Sequence, residues 1–498
     1  MNVNPITRLD YPDPDVIRVE DTYYMVSTTM HFMPGCEILQ SFDLVHWEHA
    51  TYVYETLDHT DAQQLKSGQN IYGQGMWAAS LRYHEGRFYI CFVANDTRKT
   101  YLYTSEKIDG PWKKQLIEGF YHDGSLLFDE DGRSYIVYGN DEIWITELNE
   151  DLTAPKKDGL HRLLVSDHKN PELGYEGSHI QKINGYYYIF LVHSLRDRWM
   201  RTEACFYSDS LEGEFTGGDV LCDDRGYCGQ GVAQGGIVDT PDGKWYAMLF
   251  QDSGAVGRIP ILLPVTWKDH FPVFGQNGHV PEEIEVHSTR PGYIYQPLVG
   301  SDDFCNGLLP RWQFNHDPDP RYYHLDALQG TYTITTREVC TELTQAVNTL
   351  TQRMSYPSCA AEVTVDASAL KEGDVAGLCA LQGCYAAVGI TKHHGKYEVL
   401  MLDKKEDGIL DMTEGTVVES HQMDFRLEAD FCNMKDEARC YYRVNKGDWL
   451  PIGTVHKLYF KLDHFTGCRF GLFCYAAEKT GGSACFRDFK YYDVDEIS

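Results

Sequence analysis

DGSLLFDEDGRSYIV, residues 123–137, runs small and apolar residues into an acidic turn and leaves on an aromatic-rich strand. The same plan recurs in DPDVIRVEDTYYMV (13–26), WAASLRYHEGRFYICF (77–92), EGSHIQKINGYYYIF (176–190) and QGGIVDTPDGKWYAML (234–249). The turn anchors Asp21, Gly86, Gly132, Gly185 and Gly243 are separated by 65, 46, 53 and 58 residues. Self-similarity at a period of roughly 50 residues marks four-stranded propeller blades. Runs such as YYMVSTT, GRFYICFV and GYYYIFLV are short, β-prone and bounded by Gly, Asp or Asn, as strands are. Five units predict a five-bladed β-propeller over residues 1–290. Eight residues before Asp21, and nine before each glycine, stand Asp13, Trp77, Asp123, Glu176 and Gln234. If the units circle an axis, these five side chains share one hollow.

Beyond the repeats, EVHSTRPGYIYQPLVGSDDF (285–304) carries Pro and Gly and breaks the period, which places a domain boundary near residue 300. Residues 300–498 still read as strands, among them GTYTITT, KYEVLMLD and CRFGLFCYAA, with turn residues between them. That spacing suits a C-terminal β-sandwich of jelly-roll, concanavalin-like type. The fold class is therefore all-β, a propeller followed by a sandwich.

Composition narrows the partners. A chain of 498 residues with net charge −30 is repelled by nucleic acid and by anionic membranes. No apolar run approaches a membrane span; IPILLPV (259–265) has the length of a core strand. Tyr (34) and Trp (9) are abundant, and their apolar faces with polar handles suit sugars, although β-proteins use many aromatics in any case. Fifteen Cys, an odd number with no C-x-x-C pair, argue against zinc ribbons and a disulfide framework. With MNVNPITRLDYPDPD offering no basic-then-apolar leader, the expected location is the cytoplasm. Self-association into a homo-oligomer is left open.

The register residues carry chemistry. Asp13 lies between two prolines, which stiffen its backbone, and Asp123 and Glu176 each precede a glycine. An isolated Asp or Glu at a turn more often caps backbone amides. Three in one register point instead to a shared site. Like charges in a partly dry funnel raise at least one pKa, giving the protonated acid and ionised base that glycoside hydrolysis uses. Asp15 is read as a strand-start or turn residue.

YPDPDVI, GMWAASL, HDGSLLFDEDG, YEGSHIQKINGYYY and GRIPILLPV together resemble glycoside hydrolase family 43. The resemblance covers the propeller, and the sandwich matches two-domain β-xylosidase and α-L-arabinofuranosidase members. It implies an inverting exo-glycosidase that releases terminal α-L-arabinofuranosyl or β-D-xylosyl residues from hemicellulose oligosaccharides. On this pattern Asp13 is the general base, Glu176 the general acid, and Asp123 the carboxylate that orients the acid. Trp77 and Ala78 form a wall of the sugar subsite, Arg258 contacts substrate hydroxyls, and His31 and Phe32 border the pocket. No organic cofactor is required. Many members carry a metal-bound His at the fifth register position. Gln234 stands there instead, and an amide is a poor direct ligand for a soft metal. A structural calcium remains compatible, with Asp302 and Asp488 as candidate ligands. The competing reading is a non-catalytic carbohydrate-binding propeller and sandwich.

Overall fold

The computed structural model describes residues 2–493. Five four-stranded antiparallel sheets surround an axis, each running outward in chain order. Their innermost strands are Asp15–Val19, Met76–His84, Ser125–Phe128, Glu176–Ile183 and Val232–Asp239, in blades 1 to 5. Blade strands are apolar on both faces because each sheet packs between two neighbours. Between blades 4 and 5, for example, Tyr188 and Phe190 pack with Leu249, Ile261 and Leu263. The repeat's turn works as a tight hairpin. In blade 4, Asn184 and Gly185 adopt φ of 50° and 85°, the pair of positive values a type I′ turn requires.

The backbone kinks at the shared register. Asp13, Asp123 and Gln234 have φ of 53°, 48° and 64°, and Gly177, beside Glu176, has 66°. Pairing slips at the same place in three blades, at Met76/Ala79, Glu176/His179 and Ala233/Gly236. Such bulges re-aim side chains, here into the axial funnel. Left-handed backbone at non-glycine residues is unfavourable, and it persists where the surroundings over-determine it.

Below the register the axis is plugged. Asp15 begins the innermost strand of blade 1, as read from the sequence, but its role is larger than a strand start. Its buried carboxylate accepts from Leu81 N (2.7 Å) and Arg82 Nη1 (2.8 Å) and faces His179 Nδ1 at 3.1 Å. Burial opposes that charge, yet Arg82 and His179 outweigh it and hold the Asp15 pKa below its usual value. Arg82 also donates to Leu126 O (2.8 Å), Ser125 Oγ (2.7 Å) and Ile180 O (3.2 Å). One guanidinium thus ties blades 1 to 4 together. Arg82→Met should cost about 3–5 kcal/mol, because it strands a buried carboxylate. Thermal unfolding measures this, and an unchanged melting temperature refutes the hub.

Ring closure uses no shared blade, since blade 1 and blade 5 are each built from contiguous chain. Arg18 Nε instead donates to Asp239 O at 3.1 Å, and Asn2–Val3 pairs with Glu283–Ile284 beyond blade 5.

The C-terminal region packs a nine-stranded sheet on a seven-stranded one. Phe314, Leu350, Leu378, Phe425, Phe470 and Phe486 lie in the core between them. The edge of the larger sheet is Phe32–Met33, a strand from within blade 1, paired with Gln313–Asn315. The two domains therefore share a sheet. Buried Arg353 adds a 2.8 Å ion pair to Glu37 of the propeller. All fifteen cysteines are free, and among the described residues no helix is long and apolar enough to cross a membrane.

Candidate active site

The kinked strand starts open into a cavity of about 580 Å³. Asp13, Trp77, Ala78, Asp123, Glu176, Gln234 and Arg258 all line it, so the whole register converges as the repeat predicts. His31 and Phe32 do not line it. They lie in the seam between domains, where His31 is enclosed by Tyr72 and His316 (ring centroids 4.7 and 4.8 Å) and Phe32 lies under Arg469 at 3.5 Å. Pairing of Phe32–Met33 with the sandwich draws this loop away from the funnel, a displacement that a reading of the propeller repeat could not register.

Asp13 is locked from two sides. Its Oδ1 accepts from Arg258 Nη1 at 2.9 Å and its Oδ2 from Thr28 Oγ1 at 2.6 Å. Asp123 Oδ2 accepts the Gly177 backbone N–H at 3.0 Å, and so anchors the strand start that carries Glu176. Burial, and the charges of Glu176 and Asp13, push the Asp123 carboxyl up to about 6 against the pull of His122. Glu176 Oε2 accepts from Asn140 Nδ2 at 2.8 Å.

His122 is the residue that the register count passes over. Its Nε2 lies 3.5 Å from both Asp123 Oδ2 and Glu176 Oε2. Burial disfavours its imidazolium, but Asp123, Glu176 and Asp13 outweigh that penalty and raise it to about 9. It is thus held as a cation beside both carboxyl groups. Its place beside Asp123 in YHDG was visible, but nothing in the spacing marked it. The ligand atoms of His122, Asp123 and Glu176 lie within 4.8 Å of one another, the one cluster among the described residues close enough to grip a metal. A protonated imidazole offers no lone pair, so His122 would have to lose its proton first.

At the fifth register position stands the Gln234 amide. Gln234 turns its backbone N–H to buried Glu203 Oε2 at 2.7 Å, and burial pushes that carboxyl well above its usual range. The axial carboxylate Asp15 already has Arg82 and His179 as partners. In the sandwich, Asp302 accepts from Phe304 N at 2.7 Å and Trp312 Nε1 at 2.8 Å, and so serves as a turn residue.

Four more wall residues come from the sandwich loop: Phe460, Lys461, Leu462 and Phe465. Asp10 places this loop, accepting Arg258 N at 2.7 Å and Gly467 N at 2.8 Å. Phe465 then covers the Arg258 guanidinium at 4.3 Å. Arg258 Nε and Nη2 and Trp77 Nε1 are buried donors with no protein partner among the described residues. Buried donors are normally satisfied, and a hydroxyl-rich ligand would satisfy these.

Comparison with known proteins identifies the family. The model for glycosyl hydrolases family 43 matches residues 3–272, and that for the β-xylosidase C-terminal concanavalin A-like domain matches residues 301–492. A β-xylosidase of Formosa agariphila is 26% identical over 99% of this chain and 89% of its own length. A non-reducing end α-L-arabinofuranosidase of Bacteroides ovatus is 26% identical over 66% of this chain and 63% of its own. Among solved structures, a bifunctional GH43-CE protein of Bacteroides eggerthii superposes with a TM-score of 0.93 at 42% identity, covering 100% of this chain, which spans 64% of that protein's length. A family 43 hydrolase engineered to display endo-xylanase and exo-arabinofuranosidase activity superposes with a TM-score of 0.86 at 27% identity, over 99% of each chain. With a family model matching more than half its length and a propeller-plus-sandwich fold around three converging carboxyls, this chain belongs to glycosyl hydrolases family 43.

Proposed function

We propose that this glycoside hydrolase removes terminal pentoses, α-L-arabinofuranosyl or β-D-xylosyl, from hemicellulose oligosaccharides with inversion at the anomeric carbon. The observation that carries the reading is the convergence of Asp13, Asp123 and Glu176 on one cavity with unpartnered donors on Arg258 and Trp77. Glu176 protonates the departing oxygen. Asp13, held by Arg258 and Thr28, takes a proton from the water that attacks the opposite face. Asp123 fixes Glu176 through the Gly177 N–H, and the His122 imidazole lies between the two carboxyl groups. A water-filled gap between acid and base is what separates inversion from retention. The sandwich supplies part of the cavity wall through Phe460, Lys461, Leu462 and Phe465, which supports attack at chain ends. The names of the relatives, β-xylosidase and α-L-arabinofuranosidase, support a pentose in the innermost subsite. A sugar-binding protein without turnover needs no such trio of carboxyls.

The test is digestion of arabinoxylan oligomers and arabinan, with NMR of the first anomer formed. Single pentoses of inverted configuration are expected. A retained first product, or internal fragments in place of monosaccharide, sinks the proposal.

A further inference from the structure

The three carboxyls are not equally deep. Side-chain exposure is 7% at Asp13, 6% at Asp123 and 18% at Glu176. Glu176 also accepts a hydrogen bond from Asn140, which is exposed. The acid therefore faces the mouth. It must protonate the oxygen shared with the leaving group, so the leaving sugar has to lie between Glu176 and solvent. Two apolar residues of the same cavity are exposed, Trp199 of blade 4 at 46% and Leu462 of the sandwich at 71%. An exposed indole in a concave site needs a reason, and contact with a ligand is the ordinary one.

Trp199 is also pre-set. The Arg201 guanidinium lies 5.3 Å from its ring, and Arg201 is buried, with Nε donating to Asp252 Oδ2 at 2.8 Å. Arg201 also meets Phe250 at 5.3 Å, Phe250 meets Arg258 at 5.4 Å, and Arg258 meets Phe465. This alternation of rings and guanidiniums runs from the mouth to Asp13. It fixes the indole at little entropic cost to binding.

Resting on the pentosidase reading, we infer that Trp199 is the stacking platform for the leaving-group sugar and so sets the preference for oligosaccharides over simple glycosides. The pentose to be released binds deeper, against Trp77 and Arg258. The platform contributes only when the aglycone carries a ring.

The experiment compares wild type, Trp199→Ala and Trp199→Phe on a pentose disaccharide and on the methyl glycoside of the same pentose. In Trp199→Ala the ratio of kcat/KM for disaccharide over methyl glycoside should fall roughly tenfold. The loss should sit mainly in KM, and Trp199→Phe should recover most of it. An unchanged ratio overturns the inference, even if both activities fall together through misfolding or a displaced loop. If wild type cleaves neither substrate, the pentosidase reading fails first and takes the inference with it. A wild type that cleaves both, with no change of ratio in the variant, removes the inference alone.

Discussion

Glu176→Ala is expected to lower kcat/KM on pentose oligosaccharides by about 10³-fold, and on 4-nitrophenyl pentosides by no more than about tenfold. The difference follows from the leaving group. A sugar alkoxide is a poor leaving group and departs only as the oxygen is protonated. A nitrophenolate departs with little help, so loss of the acid matters less. Glu176 is the group suited to deliver that proton, because it is the most exposed of the three carboxyls. Asn140 and His122 hold its Oε2 side. Kinetics on both substrate types check the assignment. Equal losses on the two would mean that the residue shapes the pocket and does not deliver a proton. Asn140→Ala is not a substitute for this test, because it loosens the acid without removing it.

The propeller was legible because its repeat is a physical necessity. Each blade must turn its chain at Asn184-Gly185 or an equivalent hairpin, bury both faces, and return to the axis. A count of eight or nine residues back from the turn therefore lands at the funnel in each blade, and it recovered Asp13, Trp77, Asp123, Glu176 and Gln234 without a structure. What the count could not supply was anything placed by contacts between blades or domains. His122 gains its charge from Asp123 beside it and from Glu176 and Asp13 in other blades. Arg82 gains its role from carbonyls of two others. Phe460 and Phe465 reach the cavity through docking of the sandwich, which Asp10 helps to fix at Gly467. His31 and Phe32 fail in the same way from the opposite side, drawn into the sandwich by a two-residue strand. Local periodicity reports the fold and the residues it aims; docking between elements decides which others join them.

Asp13→Ala should fail on every substrate, with kcat/KM down about 10³–10⁴-fold on oligosaccharides and aryl glycosides alike. Water must be deprotonated as it attacks, whatever the leaving group is. The site offers no ready replacement. Asp123 is bound to the Gly177 N–H and beside the His122 cation, and Glu176 is already assigned as the acid. Removing Asp13 also leaves the Arg258 guanidinium, 2% exposed, without its carboxylate, so some loss of thermal stability is expected as well. That loss makes activity alone an ambiguous readout. Azide resolves it. An anion that is already nucleophilic needs no base, and it is small enough for the space an alanine leaves. With an aryl glycoside, azide should restore part of the turnover in Asp13→Ala and give a glycosyl azide of inverted configuration. The same salt should do nothing for wild type. Absence of rescue in a variant that still melts cooperatively would assign Asp13 to holding Arg258, and the base would have to be sought elsewhere in the cavity.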